Sequence, residues 1–157
     1  MVRTLTPFAL LIAGCATPLS EYDRLGSEPT PESWRVGRAV RFEVQDQSKR
    51  SIGQLTLRLT DERSVGDCVP DTWRKAEVVS TTIADPPLST WYRANTNQRP
   101  SYFLFGRNLQ VVLNPWICDS DVVFRGVVDT DAANGQFASE AMYGGGVYGS
   151  FVAVFVE

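Results

Sequence analysis

Two short stretches decide the fold: VRFEV at residues 40–44 and LTLRL at residues 55–59. In both stretches apolar residues alternate with polar or charged residues, which is the period of a β-strand that buries one face. The polar residues 46–50 separate the two stretches. We therefore predict that they form an antiparallel hairpin.

Six further stretches have strand character and are separated by turn-forming residues. They cover residues 76–83, 102–105, 109–113, 122–128, 136–142 and 149–156. Asn134 and Gly135 form the dipeptide that is typical of a tight type I′ hairpin turn, so a reversal is predicted there. The three glycines at 144–146 predict a second reversal or a glycine bulge.

About eight short strands, without a long amphipathic helix, indicate an all-β fold: a small antiparallel β-barrel of lipocalin-like shape, or a β-sandwich. The last stretch, GSFVAVFV at residues 149–156, is apolar on both faces. Such a strand is expected where both faces are covered or paired. Because a closed barrel has no free strand edges, we prefer the barrel and keep the sandwich as the alternative.

Composition and charge describe an ordinary globular chain. It has 157 residues, of which 43% are hydrophobic and 21% charged, enough for one domain with a single core. The formal charge is −3, which argues against a nucleic-acid partner because such proteins present a basic face. Histidine is absent, which excludes Ser-His-Asp and Cys-His catalysis and histidine-ligated zinc.

The amino terminus carries an export pattern. Arg3 precedes an apolar run at residues 8–13, which is too short for a membrane span of about 20 residues and is typical of a secretion signal. The run ends in Leu-Ile-Ala-Gly-Cys at residues 11–15. This pattern resembles the lipobox of bacterial lipoproteins. A buried amino-terminal strand over residues 10–13 is the alternative.

The resemblance implies a lipid anchor and a compartment. It implies diacylglycerol on the Cys15 sulfur, cleavage before Cys15 and acylation of the new amino terminus. Ala16 follows the cysteine, where inner-membrane lipoproteins of this family carry a retention aspartate. The implied location is therefore the outer membrane, with the domain facing the periplasm.

The two remaining cysteines are Cys68 and Cys118. In an oxidising compartment they are expected to form a disulfide, because no third thiol competes once Cys15 carries lipid. The alternative is two free buried thiols. A metal site is disfavoured, since the two cysteines have neither histidine partners nor Cys-x-x-Cys spacing.

Three regions follow from these patterns. Residues 1–14 are the signal peptide, residues 15–33 are the lipidated cysteine with a proline-rich tether, and residues 34–157 are the antiparallel β domain. The tether has no hydrophobic periodicity, so we predict a disordered segment that lets the domain float clear of the membrane.

One stretch combines aromatic rings with amide and guanidinium groups, which stack on and hydrogen-bond to sugars, peptides or protein surfaces. The candidate binding residues are Trp91, Tyr92, Arg93, Asn95, Asn97, Arg99, Tyr102 and Arg107. The alternative is a long loop that packs its tryptophan on one end of the barrel.

Two acidic patterns have spacings that are compatible with a metal site. Asp119 and Asp121 straddle Ser120, and residues 129–140 place acidic side chains with a spacing that partly resembles a calcium loop. A solvated turn explains the first pattern and a hairpin explains the second, because the glycine required at the sixth loop position is replaced by Asn134. We predict no metal and no cofactor.

The sequence therefore predicts a membrane-anchored periplasmic lipoprotein that is not an enzyme and acts as a binding or interaction module of the cell envelope. Its partners would be the membrane, through the lipid on Cys15, and an envelope protein or glycan. An alternative is carriage of a small apolar ligand inside the barrel, lined by Phe42, Leu57, Val111 and Phe124. Carboxylate-dependent hydrolysis at Asp119 and Asp121 is the least favoured.

Overall fold

The structure is a computed structural model that describes residues 20–66, 68–83, 100–116, 118, 120–141 and 146–156. A short helix, α1, spans Glu21–Ser27. Eight strands follow: β1 Ala39–Asp46, β2 Ser51–Arg63, β3 Arg74–Thr81, β4 Ser101–Phe105, β5 Asn108–Val112, β6 Ser120–Val128, β7 Ala132–Ala141 and β8 Gly146–Val156. All eight predicted strands are present, with boundaries shifted by a few residues.

The strands form a closed antiparallel barrel in chain order from β1 to β8. Val40 of β1 pairs with Leu57 on one side and with Phe155 of β8 on the other, which closes the ring. The prediction of an all-β barrel is confirmed, and the sandwich is wrong. Closure explains the apolar last strand in part: β8 has hydrogen-bonded neighbours on both edges, although Val152 on its outer face is 48% exposed.

The barrel interior is filled by the alternating apolar side chains of the strands. Phe42, Phe124 and Phe151 form its centre, with ring centroids 5.3–5.4 Å apart. Each of the three is at most 2% exposed. Burying an aromatic side chain of this size contributes about 1.5–3 kcal/mol to folding, so this layer is a main source of stability.

Two facing glycines let β6 and β7 approach each other closely, and one of them also makes room for the aromatic layer. Gly126 of β6 pairs with Gly135 of β7, and a Cβ at Gly126 would lie 2.7 Å from Cζ of Phe151. The predicted Asn134-Gly135 turn is therefore wrong. The reversal comes earlier, at residues 129–131, where the Asp129 amide donates to the Ala132 carbonyl oxygen at 2.7 Å.

The segment before β1 differs from the predicted tether. Residues 20–33 were expected to be disordered, but they contain α1 and contact the barrel. Ser20 caps α1 by accepting the amide of Asp23. Leu25 on its buried side is 5% exposed, and its carbonyl oxygen accepts the Arg107 amide at 2.9 Å. Residues 15–19 lie outside the described part of the chain.

Trp34 anchors the end of the same segment in the barrel core. Its indole Nε1 donates to the Asp129 carbonyl oxygen at 2.7 Å, and its ring lies 4.9 Å from that of Phe155. The Arg38 Cζ atom lies 4.5 Å from the centroid of the Phe155 ring, which is cation–π geometry. The amino-terminal segment thus covers the barrel end where β1 begins.

A disulfide joins Cys68 and Cys118, as predicted. It fastens the loop between β2 and β3 to the loop between β5 and β6, and the Cys68 amide also donates to the Pro115 carbonyl oxygen at 3.1 Å. Under this loop lies a second apolar cluster on the outside of the barrel, built on the buried side chains of Trp73, Val112 and Val123.

Candidate functional site

Six of the eight predicted binding residues lie outside the described part of the chain. They are Trp91, Tyr92, Arg93, Asn95, Asn97 and Arg99. The residues on either side of this segment are described. The Thr82 amide donates to the Gln54 carbonyl oxygen at 2.9 Å, and the Pro100 carbonyl oxygen accepts the Ala76 amide at 2.7 Å. The described residues on both sides, Thr82 and Pro100, are therefore attached to the barrel wall formed by β2 and β3.

Tyr102, the seventh predicted binding residue, belongs to the core. It is 6% exposed, and its hydroxyl donates to the Thr60 carbonyl oxygen at 2.7 Å. Burial raises the pKa of the phenol, because the ionised form would lose its hydration. A buried, hydrogen-bonded Tyr102 is part of the packing and is not placed to touch a partner.

Arg107, the eighth, lies in the turn between β4 and β5 and ties that turn to two other segments. Its guanidinium pairs with Glu28 at 3.0 Å and with Asp129 at 3.7 Å. Its Nε donates to the Val128 carbonyl oxygen at 2.9 Å. The structure therefore does not bring Arg107 and Tyr102 into one site, and Arg107 holds the amino-terminal segment in place.

An open groove runs beside α1 on the outside of the barrel. We call it the α1 groove; it has a volume of about 480 Å³. One side is α1, and the floor is the outer surface of β6 and β7. It is lined by Glu21, Tyr22, Leu25, Arg125, Gly126, Val127, Asn134, Gly135 and Gln136.

Hydrogen bonds to β5 hold the helix side of the α1 groove in position. The buried Asn108 side chain donates to the Tyr22 carbonyl oxygen at 2.8 Å, and the Gln110 amide reaches the Tyr22 hydroxyl at 3.5 Å. The Tyr22 ring is 45% exposed. A side chain fixed at its backbone and open at its ring is suited to binding, because little conformational freedom is lost on contact.

The chemistry of the α1 groove is mixed. It offers one aromatic ring, one carboxylate, one guanidinium and the amides of Asn134 and Gln136, both of which are exposed. Groups of this kind recognise a polar chain, such as a peptide or a glycan, by hydrogen bonding and by stacking on the ring.

Sequence patterns did not predict this groove. Its two sides come from residues 21–25 and residues 125–136, which are far apart in the chain. One signal was available, since Ser20 followed by Asp23 is a helix start of the N-cap type.

The acidic candidates are only partly described. Asp119 and the side chains of Asp121 and Glu140 lie outside the described part of the chain. Asp129 and Asp131 lie at the reversal between β6 and β7, as the hairpin interpretation expected. Within the described residues, no three His, Cys, Asp or Glu side chains come together as metal ligands.

The four residues expected to line a ligand cavity are Phe42, Leu57, Val111 and Phe124. All four are buried in the barrel core with at most 1% exposed. The Phe42 and Phe124 rings lie 5.4 Å apart, so this layer of the interior is occupied by side chains in mutual contact.

No protein-family description, curated protein or solved structure matches this chain. No helix in the described residues is long and apolar enough to cross a bilayer.

Proposed function

We propose that the chain is a lipid-anchored protein of the cell envelope whose barrel is an interaction module, with the α1 groove as its contact site. The observation that carries this proposal is the contrast between the two sides of the barrel wall. The inside holds the packed rings of Phe42, Phe124 and Phe151, whereas the outside carries an open groove with exposed polar groups. A partner therefore has access to the outer surface.

The disulfide supports the proposed compartment. Cys118 is exposed, and an exposed disulfide persists where the surroundings are oxidising, as in the bacterial periplasm. The Leu-Ile-Ala-Gly-Cys pattern at residues 11–15 supplies the anchor in this proposal. Two or more acyl chains are enough for stable attachment, because each buried methylene contributes about 0.8 kcal/mol.

Intact-mass spectrometry of the mature chain tests the anchor. The expected mass is that of residues 15–157 plus diacylglycerol and an amide-linked acyl chain. The Cys15→Ser variant is the control and should lose the added lipid. A mature chain that keeps Met1 and carries no lipid contradicts the proposal.

Photo-cross-linking in intact cells tests the α1 groove. A photoreactive side chain at Gln136, which is exposed on β7, should give a discrete adduct with an envelope protein or a glycan. The matched control is the same side chain at Val79, which is 50% exposed on β3 at the other side of the barrel. Equal adducts at both positions, or none at Gln136, would exclude the groove as the contact site.

A further inference from the structure

A continuous set of aromatic contacts covers the outside of β4, on the flank of α1 that faces away from the α1 groove. The rings of Trp73 and Phe103 stack at 5.7 Å, and Phe103 stacks on Phe105 at 6.2 Å. Phe105 touches α1, since a Cβ at Gly26 would lie 2.6 Å from its Cδ1. The contacts therefore run from the loop between β2 and β3 to α1.

A further aromatic residue belongs to the disulfide-bridged loop that packs on the loop before Trp73. Trp116 follows Pro115, which contacts Gly66 and accepts the Cys68 amide. Trp116 is 41% exposed, Phe105 46% and Val65 61%. We call the surface formed by Phe103, Phe105, Trp116 and Val65 the aromatic face; Trp73, which is 8% exposed, lies beneath Phe103.

Large apolar side chains on a monomer surface mark contact sites when they lie together. Tryptophan, in addition, favours the boundary between lipid headgroups and acyl chains, because its ring is apolar and its N–H is polar. Two ion pairs, Arg63 with Asp71 and Arg107 with Glu28, border this face, and Arg74 donates to the Trp73 carbonyl oxygen at 3.4 Å. The face therefore offers aromatic and aliphatic side chains with charged groups at its border.

The position of α1 limits the distance between this face and the anchor. Cys15 and Ser20 are five residues apart in the sequence, which is at most about 18 Å of extended chain. As a flexible coil the same length spans about 12 Å. Because the chain is attached to the barrel from Ser20 onward, the long tether expected from the sequence is not available to lift the domain away from the membrane.

We propose that the aromatic face lies on the membrane surface, with the phospholipid headgroup region as its partner; this rests on the proposed lipid on Cys15. The α1 groove lies on the other flank of α1. Val152 also exposes an apolar side chain, but it is on β8, four strands from β4 in the eight-stranded ring. The short link therefore favours the wall that carries α1.

Tryptophan quenching by brominated lipid tests this orientation. The acylated chain is reconstituted in vesicles of phosphatidylethanolamine and phosphatidylglycerol that contain a phospholipid brominated near its headgroup. In a Trp91→Phe background, Trp116 reports on the aromatic face, while Trp34 and Trp73 are 5% and 8% exposed. The matched reporter for the opposite wall carries Trp91→Phe, Trp116→Phe and Val152→Trp. The double variant Trp91→Phe/Trp116→Phe gives the baseline, which is the quenching of Trp34 and Trp73 alone.

We expect brominated lipid to quench the Trp116 reporter more strongly than the baseline variant. It should quench the Val152→Trp reporter no more than the baseline variant. Equal quenching of both reporters, or none of either in a chain that floats with the vesicles, overturns the orientation while the anchor stands. A chain that does not float with the vesicles overturns the anchor and the orientation together.

Discussion

Removing the disulfide should cost this domain a large part of its stability. The bridge between Cys68 and Cys118 closes a loop of 50 residues. In the chain-entropy description, such a cross-link stabilises the folded state by about 4 kcal/mol, because it restricts the unfolded chain. Domains of this size have a total unfolding free energy of about 5–15 kcal/mol. The Cys68→Ala/Cys118→Ala variant is therefore expected to fold, but with little reserve.

The loss should also have a local component. The bridged loop covers Trp73, Val112 and Val123, which are at most 8% exposed. Without the bridge, the buried hydrogen bond between the Ser64 and Ser101 hydroxyls, at 2.6 Å, still holds one end of the loop. We expect the loop to open more often than the barrel unfolds, so the backbone amide at position 68, which donates to the Pro115 carbonyl oxygen, should exchange its hydrogen before the amides of the barrel strands do.

Urea unfolding of a soluble chain that begins at residue 16 measures the global effect. With a urea dependence of about 2 kcal/mol per molar, the midpoint should fall by about 2 M. Reduction of the unsubstituted chain should reproduce this shift. Val65→Ala is a control in the same loop; its side chain is 61% exposed, so its unfolding free energy should change by less than about 0.5 kcal/mol. A loss below about 1 kcal/mol in the double variant would refute the entropic reasoning.

Three further substitutions test the packing and the pH dependence. Tyr102→Phe should lower the unfolding free energy by about 1 kcal/mol through the lost hydrogen bond. Burial raises the pKa of Tyr102 in the folded state, so the unsubstituted chain should also lose stability as the pH rises above about 10. The variant should not show this pH-dependent loss of stability. Gly126→Ala should cost about 1–3 kcal/mol in thermal unfolding, because the added methyl would meet both the Asn134 carbonyl oxygen and the Phe151 ring. An unchanged midpoint would contradict this reading of the barrel centre. The Arg50 backbone amide lowers the pKa of Asp46 in the folded chain. The stabilisation by the carboxylate is therefore present above the pKa of an unfolded aspartate and is lost as the pH falls through the lowered folded value, so the difference in stability between the unsubstituted chain and Asp46→Asn should vanish in acid.

The strands were predictable because alternation is a local property. Val40, Phe42 and Val44 all point into the core, as their spacing requires. The sequence favoured a closed barrel over a sandwich but did not determine that β1 pairs with β8, since closure depends on the twist and stagger of the whole sheet. The disulfide followed from counting thiols once a compartment had been inferred.

The misplaced turn has a physical cause. Asn-Gly favours a tight reversal because both residues tolerate positive φ angles, but glycine is also the residue that permits close approach of two strands. Gly135 has the second role, opposite Gly126. The sequence does not distinguish the two roles, because the atoms that a Cβ at Gly135 would meet belong to the backbone of the neighbouring strand at Arg125 and Gly126.

The candidate site was largely missed because it is assembled from distant segments. α1 has seven residues and includes Gly26, so it is too short to show helical periodicity, and isolated helices of this length are unstable in water. Its position comes from contacts with Asn108 and Arg107, which cannot be read from the helix sequence.

The pairing of the first strand with the last has a consequence for how the chain folds. β1 has no partner on one edge until β8, which ends at Val156, has been synthesised. Contacts between residues so far apart in sequence form slowly, and until they form, the unpaired edges of β1 and β7 are open to other chains. A chain truncated before Gly146 would keep both edges permanently exposed, and we expect it to be recovered as aggregate or degraded.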